Sequence, residues 1–454
     1  MSPASGKIRL LKTLKHEPSP SLPWVPFAGV HAGKLKGYSA REVLTDGGKL
    51  LDALLEVNRL YDPDGQPVLF DLQIEAEILG CDLAWAEDAP PSVASHPLAG
   101  SRHIPQNLPH AEDGRLPMVL DVMRQLKARI GQNTALYGLI TGPFTLASHL
   151  RGTDIFLDTM DDPDYVRALM DYTSRVAVQM ASLYLEAGMD VIAVVDPVTS
   201  QVSPRTFADF LADPFQQIFD FIRSQGAFSA FFVCGDATKN IEVMCKTHPD
   251  CIAVDENIDM AAVKPITDRF NIVLQGNIPL TTCMLLGNQQ DNMKYVVDLL
   301  ESLPNQQGLI VSPGCDMPYD TPVENVIAVV EAIRNPGNTR LILANYQAET
   351  LNLDLIHIPD YPARSIPLME VFTLDSATCA ACGYMRSAAE RATDSLEGQV
   401  EMVEYKITQP ENVARMKKMG IKNLPCILIN GELRFSSLIP SQRELIEAIK
   451  EYQN

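Results

Sequence analysis

From about Trp24 to Arg334, short runs of apolar, often β-branched residues alternate with longer stretches in which apolar residues recur at helical spacing. Runs such as Val191-Ile192-Ala193-Val194-Val195 show no polar alternation, as expected of strands covered on both faces of a parallel sheet. The pattern predicts eight strands, at 24–29, 67–72, 135–142, 190–196, 228–234, 251–255, 271–276 and 308–314. Between them lies helix punctuation. Asp162-Pro163 opens a stretch carrying Val166, Leu169, Met170, Val176, Ala177, Met180 and Leu183, and Gly188 closes it. Thr321-Pro322-Val323-Glu324 reads as a capping box, with Asn335-Pro336-Gly337 as the stop, while Asp46-Gly47-Gly48-Lys49 lacks P-loop spacing and reads as a loop. Strict β/α alternation predicts an α/β fold, a (β/α)8 TIM barrel over 1–335. A Pro-rich linker, 336–366, leads to a separate unit at 367–454.

That last unit repeats none of the barrel pattern. It predicts a strand at 368–374, a helix opened by Cys379-Ala380-Ala381-Cys382, a strand at 400–407 and a short helix at 412–419. A hairpin around Asn430-Gly431 and a helix at 441–452 complete it. The order, with Asn423-Leu424-Pro425 before the hairpin, resembles the thioredoxin fold, which implies a cis-proline at Pro425 packed near the CxxC. Cys379, at a helix N-terminus, would be the attacking thiol and Cys382 the resolving one. No tryptophan precedes Cys379, and Cys426 directly follows Pro425, so three sulfurs are expected close together. A structural CxxC without turnover is the lesser alternative.

Of 454 residues, 46% are hydrophobic, enough for a sizeable core, and the net charge is −20. The last 88 residues hold twelve acidic and ten basic side chains, so the acidity belongs to the barrel segment and disfavours nucleic acid and anionic membrane surfaces as partners. No apolar run has the length of a membrane span and no secretory leader is evident, which makes a cytoplasmic protein the expectation; the oligomeric state is not legible. Nine scattered cysteines fit reduced thiols, metal ligands or a redox pair better than a secreted disulfide framework.

Barrel enzymes place working residues at the C-terminal ends of strands. Those ends carry His31, Asp71, Thr141, Asp196, Cys234, Asp255, Glu256, Gln275, Asn277 and Cys315. Cys234 and Cys315 close two strands that face one cavity, and two thiolates with N or O ligands form a zinc pattern. Two small buried hydrophobes is the alternative. Met170, Phe215 and Phe219 sit at helical spacing and read as core.

Several segments carry a family resemblance: Phe70-Asp71-Leu72 through Gly80-Cys81, Gly142-Pro143-Phe144-Thr145, Asp196-Pro197, Gly276-Asn277-Ile278 and Gly314-Cys315-Asp316-Met317-Pro318. They resemble the uroporphyrinogen decarboxylase superfamily, in particular its cobalamin-dependent branch of methylcobalamin:coenzyme M methyltransferases. The decarboxylases carry an arginine-rich motif after the first strand, a tyrosine near Ser148-His149-Leu150 and a histidine where Cys315 stands. Here the first loop, Gly29-Val30-His31-Ala32-Gly33-Lys34, has no arginine, although Asp71 matches the decarboxylases' catalytic aspartate. The methyltransferases bind zinc through His-x-Cys and a distant cysteine. Cys234 and Cys315 match, but the histidine position is Phe232. Substitutes for it are Glu256, Asp255, Asp236, His31 and His149, with Glu256 and His31 favoured.

The resemblance thus implies zinc on Cys234, Cys315, Glu256 and His31, catalytic roles for Asp71, Glu256 and His149, and methyl transfer between a corrinoid and a methylated or thiol substrate. No Asp-x-His-x-x-Gly segment is present, so the corrinoid would be free cobalamin or arrive on a partner protein. The C-terminal unit would keep the barrel thiols reduced through Cys379, Cys382, Cys426 and Pro425. Two other readings remain open: a decarboxylase acting through Asp71, and a redox-responsive ligand-binding protein.

Overall fold

A computed structural model describes residues 5–347, 353–374, 376, 380–421, 423–437 and 439–453. The chain divides into two compact units, the first made mostly of residues up to Tyr346 and the second mostly of those from Gln347 onward. Among the described residues, no helix is long and apolar enough to cross a membrane.

In the first unit the strands are β1 (Gly65–Pro67), β2 (Leu83–Ala84), β3 (Ser92–Val93), β4 (Ala135–Thr141), β5 (Val191–Val195), β6 (Phe228–Val233), β7 (Cys251–Val254), β8 (Val273–Ile278) and β9 (Leu309–Pro313). β2 and β3 form a small antiparallel ladder. The other seven make one parallel, curled α/β sheet in the order β1-β4-β5-β6-β7-β8-β9. Sequential strands are neighbours because each is followed by a helix that packs back on the sheet. β4, β5 and β7 to β9 are buried along their whole length, and β6 in all but its first residue, which accounts for their largely apolar sequences.

The strand expected at 24–29 is reduced to a single bridge, Trp24 to Val311. Pro23 and Pro26 flank it, and proline has no N–H to extend a ladder. Trp24 is nonetheless held on both sides. Val25 N–H donates to the Val311 carbonyl, and the Trp24 carbonyl accepts from Asp64 N–H. The buried Asp64 carboxylate also accepts from Trp24 N–H at 2.7 Å and pairs with Arg9 and Arg334.

Three turn readings need correction. Asp46 accepts from Gly48 and Lys49 N–H and caps a helix, Gly47–Tyr61, where a loop was expected. Pro322 precedes Val323–Arg334 with no side-chain cap, so the expected capping box is absent. Asn335-Pro336-Gly337 does end that helix, but Pro336 sits at the first position of a new one, Pro336–Leu343, inside the expected linker. Asp162 does cap Pro163–Glu186, and Gly188 follows that helix with φ +97°, a conformation suited to glycine.

The second unit has β10 (Leu368–Thr373), β11 (Glu401–Lys406), β12 (Cys426–Ile429) and β13 (Glu432–Ser436) in the order β11-β10-β12-β13. β10 and β11 are parallel; β12 and β13 continue the sheet antiparallel. Alternation places Val371 in one core with Met385, Ile427 and Leu445, and Phe372 in a second with Cys426 and Leu428. The Leu424–Pro425 bond is cis. Helices Ala380–Ser395, Pro410–Lys418 and Gln442–Lys450 flank the sheet. Cys379 lies outside the described residues.

Candidate functional site

β6 and β9 deliver the two rim cysteines. Cys234 directly follows β6 and Cys315 lies two residues past β9; their Cα atoms stand 6.1 Å apart and their sulfurs are joined as a disulfide. Where separate zinc thiolates were expected, each sulfur here has the other as its partner. Both pack on an aromatic lumen. Phe232 sits 4.7 Å from Phe27 and 5.8 Å from Phe70 between ring centroids, the second contact edge-on. The residue at the missing-histidine position is thus a fully buried part of that wall.

Glu256 comes from the turn after β7. A Cβ on Gly314 would lie 2.6 Å from the Glu256 backbone nitrogen, so glycine is what lets the Cys315 loop approach this closely. The Glu256 carboxylate accepts from Leu280 N–H. Burial, and then the neighbouring Asp255, push its pKa up to about 8. Burial also raises the pKa of Asp255, whose Oδ1 accepts from Asn257 N–H at 2.9 Å while its buried Oδ2 has no partner.

His31 does not join the sulfurs. Its Nδ1–H donates to the Tyr319 carbonyl at 3.0 Å and its Nε2 accepts from the Tyr61 hydroxyl at 2.7 Å, so both nitrogens are taken. Burial lowers its pKa to about 4, consistent with the neutral ring this pairing requires. His149, within Pro143–Arg151, is buried, and its pKa too is lowered to about 4, by burial and then by His96; its Nδ1 has no hydrogen-bond partner. Among the described residues, no three His, Cys, Asp or Glu side chains gather as a group that could hold a metal ion. A catalytic zinc needs three protein ligands and an open position. The expected set of Cys234, Cys315, Glu256 and His31 does not fit zinc as it stands.

Asp71 follows β1 in a different setting from the one expected. Its Oδ1 accepts from Gln73 N–H at 2.9 Å and its Oδ2 pairs with Arg115 Nη1 at 2.5 Å. Arg115 also reaches Glu77 at 2.7 Å and lies over the Trp85 ring. The sequence reading missed Arg115, which stands 44 positions away with only its place before a helix to mark it. It also missed Asp316, whose pKa burial raises well above the carboxylate range, whose buried Oδ1 has no partner, and against which a Cβ on Gly29 would collide.

Other rim groups serve the scaffold. Asp196 accepts from Phe144 N–H and the Thr145 hydroxyl, anchoring a helix start, and burial raises its pKa to about 6. Thr141 donates to Glu75, and Asn277 Nδ2 donates to the Asp255 and Ile258 carbonyls.

The uroporphyrinogen decarboxylase (URO-D) family profile matches residues 5–336. The chain belongs to the uroporphyrinogen decarboxylase family. Within this family it is similar to the methylcobamide:CoM methyltransferase MtbA of Methanosarcina acetivorans, 27% identical over 346 residues that span 74% of this chain and 99% of that protein. It is also similar to the uroporphyrinogen decarboxylase of Wolbachia sp. subsp. Brugia malayi, 23% identical over 65% of this chain and 84% of the relative. A solved methyltransferase from Methanosarcina mazei superposes with a TM-score of 0.66 at 25% identity, covering 74% of this chain and 99% of the other.

Proposed function

We propose that the first unit of this family member is a corrinoid-dependent methyltransferase, moving a methyl group between a corrinoid and a small thiol or methylated substrate. The observation that carries the reading is the meeting of Cys234 and Cys315 at one rim above a phenylalanine wall, with the Glu256 backbone close against Gly314, the residue before Cys315. The methyltransferase relatives are aligned over almost their whole length. A decarboxylase needs a cationic grip on a polycarboxylate; the loop at 29–34 has no arginine and both oxygens of Asp71 are engaged within the protein. We also read the curled sheet, with Trp24 as its eighth member, as a (β/α)8 barrel.

In the thiol-accepting direction, the acceptor sulfur attacks the methyl carbon, the methyl–cobalt bond breaks with its electron pair left on cobalt, and the thiol proton must leave. Glu256, ionising near the thiol range, is the group that takes that proton. Phe27, Phe70 and Phe232 exclude water from the methyl group in transit. No step is routed through zinc. The corrinoid is a substrate, free or carried by a partner protein.

For the second unit we infer a thioredoxin-like dithiol domain acting through Cys379 and Cys382. The strand order β11-β10-β12-β13, the cis Leu424–Pro425 bond and the buried Cys382 and Cys426 support it. The test of the main reading is incubation of the full chain with methylcobalamin and a small thiol. Loss of the methylcobalamin spectrum together with thioether formation is expected; porphyrinogen decarboxylation without methyl transfer would overturn it.

A further inference from the structure

Eight cysteines fall among the described residues, and they divide sharply. Cys81, Cys245, Cys251, Cys283, Cys382 and Cys426 are buried. Cys234 and Cys315 are partly exposed at the rim, where a reagent can reach them. They are also the two that face each other across the ends of β6 and β9, with a Cα separation of 6.1 Å inside the range a disulfide spans without backbone movement. The sheet holds both ends in place, because β6 and β9 are tied to their neighbours along their length.

The surroundings withhold what a cation would need. Phe232, two residues before Cys234, packs against Phe27 and Phe70 and offers no donor atom. His31 is bound through both nitrogens. Glu256 accepts from Leu280 N–H through one oxygen and, among the described residues, does not gather with the two sulfurs into a group that could hold a metal ion. Two sulfurs remain, one donor short of a three-ligand site.

We propose that Cys234 and Cys315 are a metal-free redox couple, a rim disulfide opened reversibly by a dithiol. The step balances as thiol–disulfide exchange. A thiolate of the reductant attacks one rim sulfur, the Cys234–Cys315 bond breaks, and the departing thiolate takes a proton. The reductant's second thiol then attacks the mixed disulfide, so the reductant leaves oxidised by two electrons and the barrel carries two thiols. Redox state, rather than cation occupancy, then sets whether the rim presents thiols. The link to methyl transfer rests on the function proposed above; the pairing and its lack of metal do not.

The test uses the full chain carrying Cys379→Ser, Cys382→Ser and Cys426→Ser, so that only barrel cysteines respond, and the unaltered chain beside it. Air-exposed protein is digested without reduction and mapped by mass spectrometry. Thiols are counted in denaturant before and after dithiothreitol, and zinc retention is measured on the reduced protein after dialysis. A linked Cys234–Cys315 peptide, a gain of two thiols on reduction and no zinc retained by the reduced rim are expected. Unlinked peptides in air-exposed protein, or about one zinc per chain that is lost in Cys234→Ala and Cys315→Ala, would overturn the proposal. Mapping on the unaltered chain covers the case in which the substituted one fails to fold. Methyl transfer is assayed separately, so its absence beside a confirmed redox couple would count against the function alone.

Discussion

Arg115 Nη1 stands 2.5 Å from Asp71 Oδ2, and the same guanidinium pairs with Glu77 and covers the Trp85 ring. The Asp71 carboxylate is thereby held in an internal ion pair. Its side chain is fully buried, so removal of Arg115 leaves a charge with no partner. Arg115→Ala should lower the unfolding free energy by about 3–5 kcal/mol in urea denaturation. A change within experimental error would mean that Asp71 finds water or another partner.

Protonation of Glu256 should control the rate. Its pKa, raised to about 8 by burial and then by Asp255, makes the ionised, proton-accepting form grow as pH rises through that value. Methyl transfer to a thiol should therefore climb through pH 8, and Glu256→Gln should lose roughly 10²-fold or more in kcat. An unchanged rate in Glu256→Gln would remove Glu256 from the reaction.

Much of the scaffold was legible because its cause is local. β5 and β7 show as unbroken apolar runs and β4, β6 and β9 as runs broken by one polar residue each, and Asp162-Pro163 and Asn430-Gly431 carry their own cap and turn chemistry. The segment at 24–29 looked like its neighbours, yet Pro23 and Pro26 confine its pairing to Trp24. Cys234 and Cys315 could be singled out because each follows an apolar strand. The fate of His31 could not, since Tyr61 and Tyr319 reach it from 30 and 288 positions away. Arg115 and Asp316 were invisible for the same reason: their chemistry comes from burial and from partners that only the folded chain supplies.

His31 and His149 should make the fold acid-sensitive. Burial depresses both pKa values from 6.5 to about 4. Unfolded chains then bind protons that the folded state refuses, so stability is lost as pH falls from about 6.5 towards 4. Each contributes roughly 2 kcal/mol of loss between pH 7 and pH 5. Chemical denaturation at the two pH values checks this, and His149→Leu should flatten the dependence by about one histidine's share. An unchanged slope in that variant would contradict the burial argument.

Gly314 is required by contact rather than by backbone angle. A methyl group there would press on the Glu256 backbone nitrogen at 2.6 Å. Gly314→Ala should cost about 1–3 kcal/mol and displace the Cys315 loop, measurable as slower disulfide formation between Cys234 and Cys315 after reoxidation. Wild-type stability and reoxidation rate in the variant would show that the two strand ends are not held this close.

The most direct measurement follows deuterium-labelled methyl from methylcobalamin into product, with the reduced full chain and a small thiol, by mass spectrometry. The account predicts a labelled methyl thioether formed in proportion to the cobalamin demethylated, and no decarboxylation of a porphyrinogen. Porphyrinogen turnover with no label on sulfur would contradict it.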